Sequence, residues 1–172
     1  MKKLLVVIDM QNDFLTGVLG SETASSILPN VINKIKQYKN TGDTIVFTKD
    51  THSDNYLQTK EGENLPIPHC MYESKGWEFP DELLPHTKDC LCFFKPSFGS
   101  TALGEFVKET HFDQIEVIGV CTDICVITNT LLLKSFSPES EIIVDSSCCA
   151  GVTKEHHNIA LEAMKQCHIT IL

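Results

Sequence analysis

The chain has 172 residues and a mass of 19.2 kDa, a size that fits one compact domain able to bury its own core without disulfide or metal staples. Apolar residues make up 42% and charged residues 22%, which excludes a disordered or fibrous chain. A formal net charge of -9, with no run of Lys or Arg on any candidate helix, excludes the electrostatic footprint of a nucleic-acid or anionic-membrane binder and fits a small neutral substrate better.

Lys2 and Lys3 followed by Leu4 to Ile8 resemble the start of a secretory leader, but the apolar run stops at once at Asp9, so the segment Lys3 to Ile8 reads as a first buried strand. No other apolar run is long enough to span a bilayer, and the expected location is the cytoplasm. Ile27, Val31, Ile35 and Tyr38 recur at helical spacing, with Pro29 tolerable in a first turn and Gly42 just past the end, which predicts the first helix. A second strand follows over Thr44 to Thr48. The stretch from Asp50 to Pro85 holds four of the seven prolines and little periodicity. It reads as a long ordered loop, and a loop of that length in a compact domain is usually functional.

Further strands are predicted over Cys90 to Phe94, Ile115 to Val120, Glu141 to Val144 and His168 to Leu172, with a helix over about Asp123 to Lys134. Ile159, Ala160, Ala163, Met164 and Cys167 mark a last helix, capped by Thr153 with Glu155 in its first turn. Strands that are apolar throughout, alternating with helical patterns, predict βαβ units: one α/β domain over residues 1–172 with a six-stranded, mostly parallel sheet between helical layers. The 8 cysteines do not make a disulfide scaffold in a chain this rich in core residues, and none repeats the paired C-x-x-C spacing of a structural zinc site.

Ligands of open α/β sheets bind beyond the carboxyl ends of the strands. There the predicted strands end in Asp9, in Asp50 with His52 nearby, in Lys95, and in the run Cys121 to Cys125. Cys125 falls in the first turn of a predicted helix, where backbone N–H groups and the helix dipole favour a thiolate. It is the candidate nucleophile, with Lys95 lowering its pKa and Asp9 moving the thiol proton to a departing amine. Cys121 competes for the nucleophile's role from the same strand end.

Three blocks, VVIDMQNDF (Val6 to Phe14), FFKPSFGST (Phe93 to Thr101) and VIGVCTDICV (Val117 to Val126), resemble the signature blocks of the isochorismatase-like cysteine hydrolases, the superfamily that includes nicotinamidases. The resemblance extends to TKDTH (Thr48 to His52), PHC (Pro68 to Cys70) and DSSCCAGVTKEHHNIALEAM (Asp145 to Met164), nearly the whole chain in order. It implies a catalytic triad of Asp9, Lys95 and Cys125, a thioester at Cys125, and a cis peptide before Cys121 that aims the N–H groups of Cys121 and Cys125 at the oxyanion. It also implies that Cys125, which follows Thr122-Asp123-Ile124, rather than Cys121, is the nucleophile.

Nicotinamidases are similar to this chain in an Asp-x-His pair after strand two and a later His-Cys, whose bound divalent metal holds the substrate's ring nitrogen. Asp50, His52 and His69 match those positions; the second loop histidine is missing between Ser53 and Lys60, and the resemblance to relatives that use a glutamate instead makes Glu61 the candidate fourth ligand. Two imidazoles and two carboxylates suit Zn2+, with Mn2+ or Fe2+ as alternatives. Phe14, Leu65 and Ile67 are the expected substrate-binding residues. The ring-packing Trp common before the P-x-H segment is absent, and Trp77 is its one conceivable replacement.

The resulting expectation is a nicotinamidase-like amidohydrolase acting on a small-molecule amide, assembled as a homo-oligomer, dimer or tetramer, with neither nucleic acid nor membrane as partner. The alternatives are a metal-free cysteine amidase acting on another small amide or carbamoyl compound, and a non-catalytic metal-binding or thiol redox-sensing protein.

Overall fold

A computed structural model describes residues 1–172. In chain order the elements are β1 (Lys3–Ile8), α1 (Asn12–Leu15), α2 (Glu22–Ser26), α3 (Leu28–Thr41), β2 (Thr44–Asp50), α4 (Lys60–Asn64), α5 (Leu84–Thr87), β3 (Leu91–Lys95), α6 (Thr101–Thr110), β4 (Gln114–Val120), α7 (Ile127–Phe136), β5 (Glu141–Ala150), α8 (Lys154–Gln166) and β6 (Thr170–Ile171). A short 3-10 turn covers Tyr56–Gln58, and a π turn covers Thr122–Val126 between β4 and α7.

The strands form one sheet in the order β3-β2-β1-β4-β5-β6. Every pairing is parallel, so the sheet is wholly rather than mostly parallel. The fold is the α/β architecture expected from the alternation of apolar strands and helices.

Side chains of a strand point alternately to its two faces, and β1 shows what this does. Leu5 and Val7 join Val31, Ile35 and Tyr38 of α3 in one core, while Leu4, Val6 and Ile8 join Leu103 and Val107 of α6, Leu133 of α7, and Leu161 and Met164 of α8 in the other. All five of these β1 residues are fully buried, which is why the strand carries no polar alternation. The helix α3 ends at Gly42 in the left-handed conformation, φ 73°, and α8 starts at Thr153, whose hydroxyl accepts the N–H of His156, both as the turn chemistry predicts.

Because β2 lies on one side of β1 and β4 on the other, the connections leave in opposite directions and open a crevice beyond the strand ends. Asp9 and the Cys121–Cys125 segment flank it. Gly119 makes the close approach possible: at φ 120° its place for a Cβ lies 2.1 Å from Ile8 O, so a side chain there would collide with β1 backbone. The next peptide, Val120-Cys121, is cis, as the family resemblance implies.

Several elements depart from the sequence reading, among them the short helices α1 and α2, which it did not include. The strand β5 continues through Asp145-Ser146-Ser147-Cys148-Cys149 to Ala150. The helix α6 was not anticipated, although Ser100 accepts the Leu103 N–H as its cap and Leu103 and Val107 supply a buried stripe. The loop from Asp50 to Pro85 contains α4, the 3-10 turn and the first half of α5.

Candidate active site and metal-binding cluster

Asp9, Lys95 and Cys125 come from three separate strand ends and meet in the interior. Lys95 Nζ lies 2.6 Å from Asp9 Oδ2, 3.4 Å from Cys125 Sγ and 3.4 Å from Asp50 Oδ1, and it donates to Ser97 O at 3.0 Å. An ammonium has three protons for these four neighbours, so they share it. Asp9 and Lys95 are at most 1% exposed and Cys125 is 6% exposed.

Burial weakens the Lys95 ammonium, but Asp9, Cys125 and Asp50 outweigh it and hold the pKa above the usual lysine value. Burial raises the Asp9 pKa, and Asp50 adds to the rise against the pull of Lys95. The Cys125 thiol is pushed well above its ordinary value, first by burial and then by Asp9, with Lys95 pulling the other way. Burial and Asp9 thus favour the thiol form, against the lowering expected from the residue's position. Desolvation outweighs the nearby ammonium, and the residue sits in a π turn ahead of α7 rather than in an α-helical first turn.

Two residues that sequence reasoning missed hold the carboxylates. Thr48 Oγ1 donates to Asp9 Oδ1 at 2.6 Å and accepts the Asp9 N–H at 3.2 Å. Gln11 donates to Asp50 O at 2.9 Å and accepts the Asp50 N–H at 2.7 Å. Period-two alternation along β2 puts Thr48 on the same face as Asp50, a signal available in the sequence; Gln11 left no comparable one.

Asp50, His52, Glu61 and His69 form a second constellation beside the first, with potential ligand atoms all within 4.8 Å of one another. His52 Nε2 is 2.9 Å and His69 Nε2 3.3 Å from Asp50 Oδ2, and each is 3.6 Å from Glu61 Oε1. His69 Nδ1 is 2.8 Å from Ile67 O, so that nitrogen carries a proton and Nε2 is left to face the carboxylates. With its Nδ1 proton directed at Ile67 O, a neutral His69 ring offers Nε2 only as an acceptor, so its approach to the Asp50 and Glu61 carboxylates calls for a proton or a metal ion between them. Burial works against the charged His69 ring, but Asp50, Ile67 O and Glu61 raise its pKa, while hydrogen bonds from both imidazoles overcome burial and hold Asp50 well below the usual carboxylate range. The donor set and spacing fit a divalent ion.

Phe14 is buried, with its ring edge-on to His69 at 5.6 Å between centroids. Leu65 is half-buried, its carbonyl accepting the Tyr56 hydroxyl at 2.8 Å. Ile67 is 40% exposed. Trp77 donates to Thr51 Oγ1 at 2.8 Å, packs on Tyr72 and Phe94, and lies 3.5 Å beneath Lys49 Nζ. Cys121 is half-buried, and its carbonyl accepts the N–H groups of Ile124 and Val126 at the start of the π turn.

The family model for the isochorismatase domain matches residues 3–172. The chain belongs to the isochorismatase family. Among curated relatives of this family member, the nicotinamidase of Schizosaccharomyces pombe is 25% identical, over 98% of this chain and 91% of that protein. Two solved structures superimpose on nearly the whole of this isochorismatase-family chain. The nicotinamidase/pyrazinamidase PncA of Bacillus subtilis matches with a TM-score of 0.88 and 26% identity, covering 99% of each chain. The pyrazinamidase of Pyrococcus horikoshii in complex with zinc matches with a TM-score of 0.86 and 25% identity, covering 100% of this chain and 99% of that one. Family and neighbours together support a hydrolase of the isochorismatase and nicotinamidase type.

Proposed function

We propose that the chain is a nicotinamidase-type amidohydrolase converting nicotinamide and water to nicotinate and ammonia, with Cys125 as nucleophile, Asp9 as proton carrier and Lys95 as the fixed cation between them. The observation that carries this reading is the Lys95 ammonium lying within 3.4 Å of a buried thiol and 2.6 Å of a buried carboxylate, beside a four-residue cluster suited to a metal.

A protonated resting thiol suits such a mechanism. As Sγ bonds to the amide carbon, its proton passes to Asp9, whose raised basicity matches the task, and Lys95 stabilises the sulfur while it is charged. The carbonyl π electrons move onto oxygen, and the N–H groups of Cys121 and Cys125 are assigned to that oxyanion, a role typically worth about 3 kcal/mol of barrier. Asp9 returns the proton to nitrogen as the C–N bond breaks, ammonia leaves, and a thioester remains. Water then adds to the thioester carbon with Asp9 taking its proton, and the thiolate leaves and is reprotonated, which restores the starting state.

Asp50, His52, Glu61 and His69 are the residues that would hold a divalent metal, zinc being preferred and manganese or iron the alternatives. Bound there, it would supply a Lewis-acidic anchor for a ring nitrogen of the substrate. Phe14, Leu65 and Ile67 would wall the ring. The deciding assay is ammonia release from nicotinamide by the zinc-supplemented wild type and by Cys125→Ala: the wild type should turn over and the variant should not, and equal rates would end the proposal.

One observation favours a second reading within the same chemistry. The Trp77 ring is engaged with Thr51, Tyr72, Phe94 and Lys49 rather than with the four cluster residues, so a wall without it would admit other small amides. A panel of amides assayed with Cys125→Ala as blank separates the two, nicotinamide ranking first under the main reading.

A further inference from the structure

We propose that Asn129 is a positioning residue that sets the distance between Lys95 and Cys125. This rests on the reading of those two residues as catalytic partners. Asn129 sits in the first turn of α7 and is 1% exposed. Its carboxamide is fully engaged between two chain segments. Nδ2 donates to Cys125 O at 2.7 Å and to Phe98 O at 2.9 Å, and Oδ1 accepts the Ser100 N–H at 2.9 Å.

The two segments are those that hold the reacting pair. Cys125 O belongs to the π turn carrying the nucleophile. Phe98 and Ser100 belong to the loop after β3, whose Ser97 carbonyl also accepts from Lys95 Nζ. One amide thus closes a ring running from the sulfur through its own backbone, across Asn129 to the loop, and back through Ser97 to the ammonium. Gly99 lets the loop come this near to α7: its place for a Cβ lies 2.5 Å from Leu132 Cδ1 and 2.9 Å from Thr128 Cγ2. Asn129 touches no reacting atom. Its three bonds nonetheless fix both ends of a 3.4 Å contact whose length governs how well the sulfur's charge is stabilised.

Two variants test this. Asn129→Leu keeps the volume and removes all three bonds. Gly99→Ala keeps the asparagine and pushes the loop off α7, so the question stays answerable if the first variant folds poorly. Each is characterised for folded fraction, for kcat and KM, and for the pH midpoint of Cys125 alkylation by iodoacetamide, a readout that needs no substrate. Misplacing reacting groups by about 1 Å costs on the order of a hundredfold. The expected result is a kcat per folded molecule at least about tenfold lower, KM within about threefold of wild type, and an alkylation midpoint moved to higher pH as the ammonium withdraws. A role confined to packing would lower the folded fraction alone; kcat per folded molecule within about threefold of wild type, or an unmoved midpoint, overturns the proposal. Failure of the enzymatic reading is distinguishable, because wild type and Cys125→Ala would then release ammonia equally.

Discussion

Thr48 controls the basicity of Asp9 without entering the chemistry. Its hydroxyl donates to Asp9 Oδ1 at 2.6 Å, a contact that favours the charged carboxylate and so offsets part of the rise that burial imposes. Thr48→Val keeps the shape and leaves a buried carboxylate oxygen and the Asp9 N–H without their partner. Bonds to charged groups contribute about 1.5–3 kcal/mol, so the variant should melt at lower temperature. The more telling outcome is in the pH–rate profile: with the donor gone the Asp9 pKa rises further, and the acidic limb of kcat must move to higher pH. An unmoved limb would show that Asp9 is not the base. Asp9, Lys95 and Cys125 could be singled out in the sequence because each is a reactive residue closing an apolar strand. Gln11 could not, and Thr48 only through sharing a face of β2 with Asp50, since a hydroxyl or an amide becomes fully informative when a partner 39 residues away is brought to it.

At the scale of elements, α3 and α8 were legible because their caps and stripes agree, whereas β5 was not followed past Val144. Its polar half, Asp145-Ser146-Ser147, reads as a turn, yet Asp145 is drawn into the sheet by Lys34 of α3. Lys34 Nζ lies 2.8 Å from Asp145 Oδ2 and 2.6 Å from Glu116 Oε1 of β4, and the Tyr38 hydroxyl donates to Glu116 Oε2 at 2.7 Å. These charges clamp α3 onto β4 and β5. Burial alone would raise the Asp145 pKa, but Lys34 and the bonds from Ser147 outweigh it and hold it below its ordinary 3.8. A carboxylate whose pKa is depressed by folding contributes stability that is present above its unfolded value and lost as pH falls through the folded one. Asp145→Asn should therefore be less stable than wild type at neutral pH, and the gap in urea midpoint should close as pH drops below 3.8. A gap independent of pH would assign the loss to packing instead.

Across the whole molecule, the site joins parts of unequal stability. The triad stands on the central strands β1 and β4 and on β3, whereas Glu61 and His69 hang on the irregular stretch between Asp50 and Pro85, tied to the sheet by contacts such as the His52-Met71 bridge. No helix is long and apolar enough to cross a membrane, and the loop is held by its own turns and by Asp13 accepting the Cys70 N–H at 2.8 Å. An ion that binds only the folded chain stabilises it by RT ln(1 + [L]/Kd), about 2.7 kcal/mol at a hundredfold excess over Kd, which for a chain of this length raises the melting temperature by about 5–10 °C. Zinc added to chelator-treated wild type should produce such a shift, and His69→Ala should lose most of it while the metal-free baseline moves less. Because Lys95 touches Asp50 at 3.4 Å, a metal held by that carboxylate would weaken its hold on the ammonium, which would then serve Asp9 and the sulfur more fully. Zinc should then speed iodoacetamide alkylation of Cys125 in wild type and leave the rate in His69→Ala unchanged. Equal rates with and without zinc in the wild type would separate the two constellations that the fold has placed side by side.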